Sequence, residues 1–343
     1  MPGSLADRQE KQRRIEALRD GPLVLASHEA VSWYLDGIRT HVSLAGPPVL
    51  SVRVDDDGDR IFAAENEADR LIAEELLPQD AARVVRVPWV MPPSAAAEAA
   101  GAAATEASVA SALRAARASL LPGERARYRA LGCDAAEALT EVAPSLRPET
   151  TERHAAAALA AALVERGIDP LVVLVAGASR LVHRHPLPTG AALGRRAMLV
   201  VCGRRRGLIA NATRWIGDGD PADEAILRVE SAFFGASRPG ARLDEVFAAG
   251  TAAYATAGLS ADEWRRHHQG GPTGYAGRDP RATPETTDIL HEYQALAWNP
   301  TAPGVKVEDT VLTSASGIEV LTADPRWPTT MHGGLARPVA HPF

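Results

Sequence analysis

Residues 264–308 hold most of the side chains able to do chemistry. His267 and His268 stand side by side in WRRHHQGGPTGY, just ahead of a glycine-rich bend. Imidazole titrates near neutral pH, so either ring can move a proton under physiological conditions. Glycines let the backbone approach a ligand closely. Farther on, Glu308 sits among valines in VKVEDTVL, which reads as a strand. A glutamate in such surroundings is partly buried and needs a partner. It can anchor a cationic group, act as a base with a raised pKa, or form a structural ion pair, with Arg214 as the candidate partner. His185, in RHPLPT (184–189), is a further proton-transfer candidate, with His183 its neighbour. The chain has no GxSxG elbow, no HExxH, no Walker A loop and no GxGxxG after a strand.

These residues need a frame. A chain of 343 residues suits two domains. With 46% hydrophobic and 23% charged residues the composition is that of a globular protein. A net charge of −6 argues against a nucleic-acid partner. The chain begins without an apolar leader, and no apolar run approaches the ~20 residues of a membrane helix. Two cysteines, Cys133 and Cys202, make no disulfide framework, so a cytoplasmic location is expected.

The N-terminal part alternates short elements. Residues 5–20 read as a charged helix, and 22–27, 31–37 and 48–54 as β-like runs. The acidic turn DDDGDR (55–60) joins 48–54 to 61–66 as a hairpin. It is not a calcium loop, because Arg60 stands where glycine is needed and Asn66 where glutamate is needed. A helix over 67–77 and a strand over 82–90 complete a small α/β domain, residues 1–93. Residues 94–120 are alanine-rich and read as a helical linker. The rest, 121–343, forms a second domain. It holds helices over 147–167, 221–235 and 238–258, a strand over 171–177, and two strands around the GRRRG turn in 195–216. Pro148 and Pro239, and likewise Gly167 and Gly258, are 91 residues apart. That offset indicates an internal duplication, with paired helices against one sheet and a cleft on the open face.

Several segments on this frame, taken together, resemble the creatinase/aminopeptidase P family (M24, the pita-bread fold). YLDGIRT (34–40) is similar to a strand of the family's small domain. RHPLPT holds the place of its upstream histidine. GLIANATR (207–214) is similar to GYxxDxTR, HHQGGPTGY (267–275) to HxxGxxxH, and GVKVEDTVLT (304–313) to GVRIEDTVLVT. The resemblance implies an α/β (α+β) fold with a C-terminal pita-bread domain of pseudo-twofold symmetry.

The peptidases of the family hold two cations with two aspartates, one histidine and two glutamates. Here the matching positions are Val201 or Cys202, Asn211, His268, Asn299 and Glu308, and the second histidine of the motif is Tyr275. One carboxylate cannot offset two dications, so no metal and no cofactor is expected. A single soft metal on Cys202, His268 and Glu308 stays open. The family has a metal-free branch, the creatinases. The resemblance to it implies a metal-independent hydrolase or lyase acting on a C–N bond of a small amino-acid- or amidine-like substrate. His185, His268 and Glu308 are the catalytic candidates. Arg39, His41, Asn211, Arg214, His267, Tyr275 and Asn299 are the substrate-binding candidates. A homodimer is expected, with the N-terminal domain of one subunit covering the other's site. The alternatives are an inactive module that binds a peptide or protein, and a divergent Xaa-Pro aminopeptidase.

Overall fold

The computed structural model describes residues 3–343. The chain divides into two compact units, one of residues 1–126 and 206–208, the other of 127–205 and 209–343.

The first unit opens with α1 (Leu5–Leu18), capped by the Ser4 side chain. Its sheet holds β1 (Leu23–Leu25), β2 (Leu50–Asp55), β3 (Gly58–Ala64), β4 (Val84–Val87) and β5 (Ala104–Thr105), in the order β4-β3-β2-β1-β5. The β2–β3 hairpin turns at the acidic segment, as its residue types require. Helices α2 (His28–Tyr34), α3 (Glu65–Glu74) and α4 (Pro78–Ala81) lie between strands.

Two expectations fail in this unit. Residues 31–37 do not form a strand. Ser27 accepts from the Ala30 N–H and starts α2, which buries Val31, Trp33 and Tyr34. The cap and the burial of these residues override the β preference of Val, Trp and Tyr. Residues 94–120 are not one helical linker either, though most of them are exposed. They form α5 (Pro93–Ala99), the strand β5 paired with β1, and α6 (Ala110–Ala118). Ala97 packs with Val24, Phe62 and Val87, and Arg53 donates to the Ala97 and Gly101 carbonyls. Ala97 is small enough for α5 to approach the sheet closely there, while most of the segment's other alanines are exposed.

α7 (Pro122–Val142) follows, a helix the sequence reading left out. It buries Leu131, Ala135, Leu139 and Val142 at helical spacing. The second unit continues with α8 (Glu152–Glu165), β6 (Asp169–Gly177), β7 (Arg196–Arg205), β8 (Leu208–Gly217), α9 (Asp223–Ala236) and α10 (Leu243–Thr256). Strands β9 (Gly270–Pro272), β10 (Ala295–Trp298), β11 (Thr301–Ala302), β12 (Val305–Lys306), β13 (Val311–Ser314) and β14 (Gly317–Val320) precede a last hairpin. β6-β7-β8 form one sheet and β14-β13-β10-β9 another. β8 meets the segment between β12 and β13, where the Thr213 N–H donates to the Glu308 carbonyl at 2.9 Å and Ala212 bridges Asp309.

The duplication is visible in this unit. α8 and α10 are both 14 residues long and start 91 positions apart. Gly167 and Gly258, just past their ends, have φ of 66° and 83°, the left-handed stop that glycine suits. α9 and α10 bury Val229, Phe233, Val246, Phe247 and Tyr254 in one core with Trp298, on which Phe233 stacks at 4.4 Å. Among the described residues no helix is long and apolar enough to cross a membrane.

Candidate active site

Alternation along strands decides which side chains share a face. Leu174 and Val172 on β6, Val200 and Cys202 on β7, and Ile209 and Asn211 on β8 all line one cavity of about 430 Å³. Lys306 and Glu308, two residues apart, line it too, with Asn299 just past β10. His185, His268, Gly277, Arg278 and Arg281 come from loops. A larger cavity, about 650 Å³, is lined by Ser231, Phe234, Arg238 and Ser314 among others and holds none of the candidate residues.

The imidazoles converge. His267 Nε2 lies 3.0 Å from His185 Nε2, and the His267 and His268 rings stack at 4.3 Å. Burial, then the neighbouring His268 and Lys306, pushes His267 down to about 2, and burial with Arg278 and Arg281 pushes His268 down to about 4. His185 is also lowered, by burial and by Lys306. His267 and His268 are therefore neutral at pH 7, and the surroundings of His185 favour its neutral form as well. His267 Nδ1 and His268 Nδ1 are buried with no hydrogen-bond partner in the protein.

Gln269, fully buried, positions the pair. Its amide donates to the His267 carbonyl at 2.8 Å, and Tyr254 donates to its oxygen at 2.8 Å. A salt bridge from Arg184 to Glu263 ties the loops carrying His185 and His267. Gly270 follows at φ 92°, and a Cβ there would meet the Ala297 carbonyl. Gly270→Ala is therefore expected to lower stability by about 2–3 kcal/mol. Urea unfolding would check this, and a loss below about 1 kcal/mol would mean the bend is not tight.

Glu308 differs from the sequence expectation. Its Oε2 accepts from Lys306 Nζ at 2.6 Å and its Oε1 from Arg278 Nη2 at 2.7 Å. Burial alone would raise its pKa, but Lys306 and Arg278 pull it down to about 2. It is an ionised charge anchor, not a base with a raised pKa. Arg214 is not its partner. That guanidinium is buried against Asp309 at 2.9 Å, and Arg337 joins Asp309 to Glu230.

Other candidates separate. Asn211 and Asn299 reach the cavity, and the Asn299 Oδ1 is buried without a partner. Asn211 donates to Thr273 Oγ1 at 3.3 Å. Tyr275 is buried but does not line the cavity, and neither does Arg214. Arg39 and His41 belong to the first unit. Arg39 is ion-paired with Glu75 at 2.5 Å and Glu74 at 3.2 Å, and His41 packs edge-on to His28. The cavity cations Arg278, Arg281 and Lys306 were missed. Lys306 had a signal, since it shares the face of Glu308 by strand alternation. The two arginines sit in a loop with none.

A soft-metal site on Cys202, His268 and Glu308 does not form. Burial pushes the Cys202 thiol up to about 12, which disfavours the thiolate, and both Glu308 oxygens already face cations. Among the described residues, the only three metal-type donors within 4.8 Å of one another are on His185, His267 and His268.

The family model "Metallopeptidase family M24" matches residues 126–315, more than half of the chain. The chain belongs to metallopeptidase family M24, a family of hydrolases. The search of curated proteins finds no match. Similar solved structures include the prolidase from Pyrococcus horikoshii OT3. It has a TM-score of 0.73 and 15% identity, covering 92% of this chain and 98% of that one. Dipeptidase PepE from Mycobacterium ulcerans has a TM-score of 0.72 and 18% identity, covering 98% of this chain and 99% of the other. The N-terminal domain of a FACT complex subunit from chickpea (Cicer arietinum) has a TM-score of 0.68 and 12% identity, covering 94% and 97%. At these identities the likeness is one of fold.

Membership in a metallopeptidase family implies divalent cations. The residues present do not fit the paired-cation centre. Of the five positions where the resemblance places ligands, only Glu308 carries charge, and two protein cations already occupy its oxygens. A dication there would displace both and face their repulsion.

Proposed function

We propose that the chain is a hydrolase or lyase that cleaves a C–N bond of a small amino-acid- or amidine-like substrate by histidine acid/base chemistry, without divalent cations. The observation that carries this reading is the pairing of neutral imidazoles, His185 on His267 at 3.0 Å, beside a glutamate neutralised by Lys306 and Arg278. Where the family would place metal ions, this cavity supplies fixed cations.

In the hydrolytic form, neutral His185 takes a proton from water as the oxygen bonds to the substrate carbon. Arg278 Nε, a buried N–H without an acceptor in the protein, donates to the developing oxyanion. The C–N bond then breaks, and the leaving nitrogen takes the proton from the His185 imidazolium. Asn211 and Asn299 hold the substrate by neutral hydrogen bonds.

The test is turnover of a panel of amides, ureas, amidines and Xaa-Pro dipeptides by protein of measured metal content. Turnover by metal-free protein, unchanged by a chelator, is expected. Activity that tracks bound metal would sink the reading and favour a metallohydrolase, for which the three imidazoles are the nearest set of donors. No turnover of any class would favour a module that binds a peptide or protein. The homodimer belongs to the same proposal. Light scattering at working concentration should give about twice the 36.2 kDa chain mass, and a monomer would remove it.

A further inference from the structure

The cavity is unevenly charged. Arg278, Arg281 and Lys306 line it with Glu308 as the one carboxylate. With the imidazoles neutral, two positive charges are in excess. They differ in place. Arg278 and Lys306 share Glu308 in the interior, Lys306 being 6% and Glu308 2% exposed. The exposed Arg281 has no side-chain partner among the described residues, yet it lies close enough to lower both His185 and His268. A free guanidinium at the rim is a ready partner for a carboxylate.

The interior adds an orphan acceptor. Asn299 is 3% exposed, and its Oδ1 has no hydrogen-bond partner in the protein. A buried acceptor left empty is costly, so an N–H brought by the ligand would satisfy it. Leu171, Val172, Leu174 and Val200 form an apolar wall of the same cavity.

We infer that the substrate is an N-acyl or N-carbamoyl amino acid, neutral at its acyl or carbamoyl end and with an apolar side chain, not a guanidino or amidino acid. Its carboxylate pairs with Arg281, its side chain lies on the apolar wall, and its amide or ureido N–H donates to Asn299. This rests on the acid/base reading of the same cavity and narrows its substrate class. A guanidinium would meet Asn299 equally well, but it would bring a third excess positive charge beside Lys306 and Arg278. A neutral carbonyl in its place accepts from the Arg278 Nε–H instead.

The experiment compares N-carbamoyl-leucine with its guanidino analogue, molecules that differ only in C=O against C=NH2+. Binding to the full chain is followed by calorimetry at pH 7. The carbamoyl compound should bind at least about tenfold more tightly. Arg281→Gln should weaken both by about tenfold and flatten the dependence on salt. Asn299→Asp adds a carboxylate to the interior and should reverse the preference. Equal or tighter binding of the guanidino compound to the wild type would overturn the inference. So would failure of both to bind at millimolar concentration, or an Asn299→Asp variant with unchanged preference. Because binding is read rather than turnover, a carbamoyl ligand that binds but is not cleaved leaves this inference standing and sinks the catalytic reading.

Discussion

Glu308→Gln lowers the unfolding free energy by about 3–5 kcal/mol at pH 7. The glutamine keeps the shape but removes the charge that Lys306 and Arg278 share. Lys306 has one other partner, Thr213 Oγ1 at 2.8 Å, and Arg278 has the Gly277 carbonyl at 2.6 Å. Neither neutral oxygen compensates a buried cation. Breaking a buried pair by deleting one partner is costly because the other charge stays behind. Urea unfolding of the variant beside the wild type measures the loss. A difference under about 1 kcal/mol would mean that solvent already neutralises the two cations.

The same residue predicts a pH window. The folded pKa of Glu308 is about 2 against an ordinary 4.5. A depressed carboxylate stabilises the fold fully above 4.5, and this is lost as the pH falls from 4.5 toward 2. His267 and His268 act earlier. Their depressed values mean that the unfolded chain takes up protons first, below 6.5, so stability already falls from there. In Glu308→Gln the histidine limb should remain, running on toward pH 2 through His267, and the fall between 4.5 and 2 should be shallower than in the wild type by the Glu308 share.

Glu308 also illustrates how much could be read in advance. That it is buried and paired follows from VKVEDTVL, since valines on both sides bury whatever lies between. Which cations pair with it does not follow. Lys306 is two residues away on the same face, and strand alternation could have named it. Arg278 arrives from a loop 30 residues upstream, and no local pattern fixes where a loop guanidinium points. Arg214 was the candidate partner, but Asp309, next to Glu308, takes it. One step along an extended chain exchanges one face for the other. The duplication was legible because helix stops are local. Glycine past the last turn gave both α8 and α10 their ends. The alanine-rich segment 94–120 was read as one helix, and α7 went unassigned, for a related reason. Alanine favours helix but does not say which face is buried, and only contact with the sheet decides that. At the cavity, the neutral replacements Asn211 and Asn299 were placed by the resemblance. Their companions in the loops depend on the closed tertiary structure.

His185→Ala is expected to reduce kcat by about 10²–10⁴-fold on a substrate found by the panel, with KM little changed. KM should hold because Arg281 and Asn299, the proposed binding groups, are untouched. The pH profile gives a second check. A general base must be neutral, so activity rises through the pKa of the base as pH increases. The His185 pKa lies below its ordinary 6.5, because burial and Lys306 disfavour the imidazolium. The acidic limb of kcat/KM should therefore lie below pH 6.5. A limb above that value would assign the base elsewhere. A structural role for His185, as the partner that orients His267 across 3.0 Å, makes a different prediction. His185→Asn keeps a side chain able to hydrogen-bond His267 but cannot relay a proton. If His185 only positions His267, the asparagine variant should retain most of the activity that alanine loses. If His185 carries the proton, asparagine and alanine should fail alike, and both should retain ligand binding.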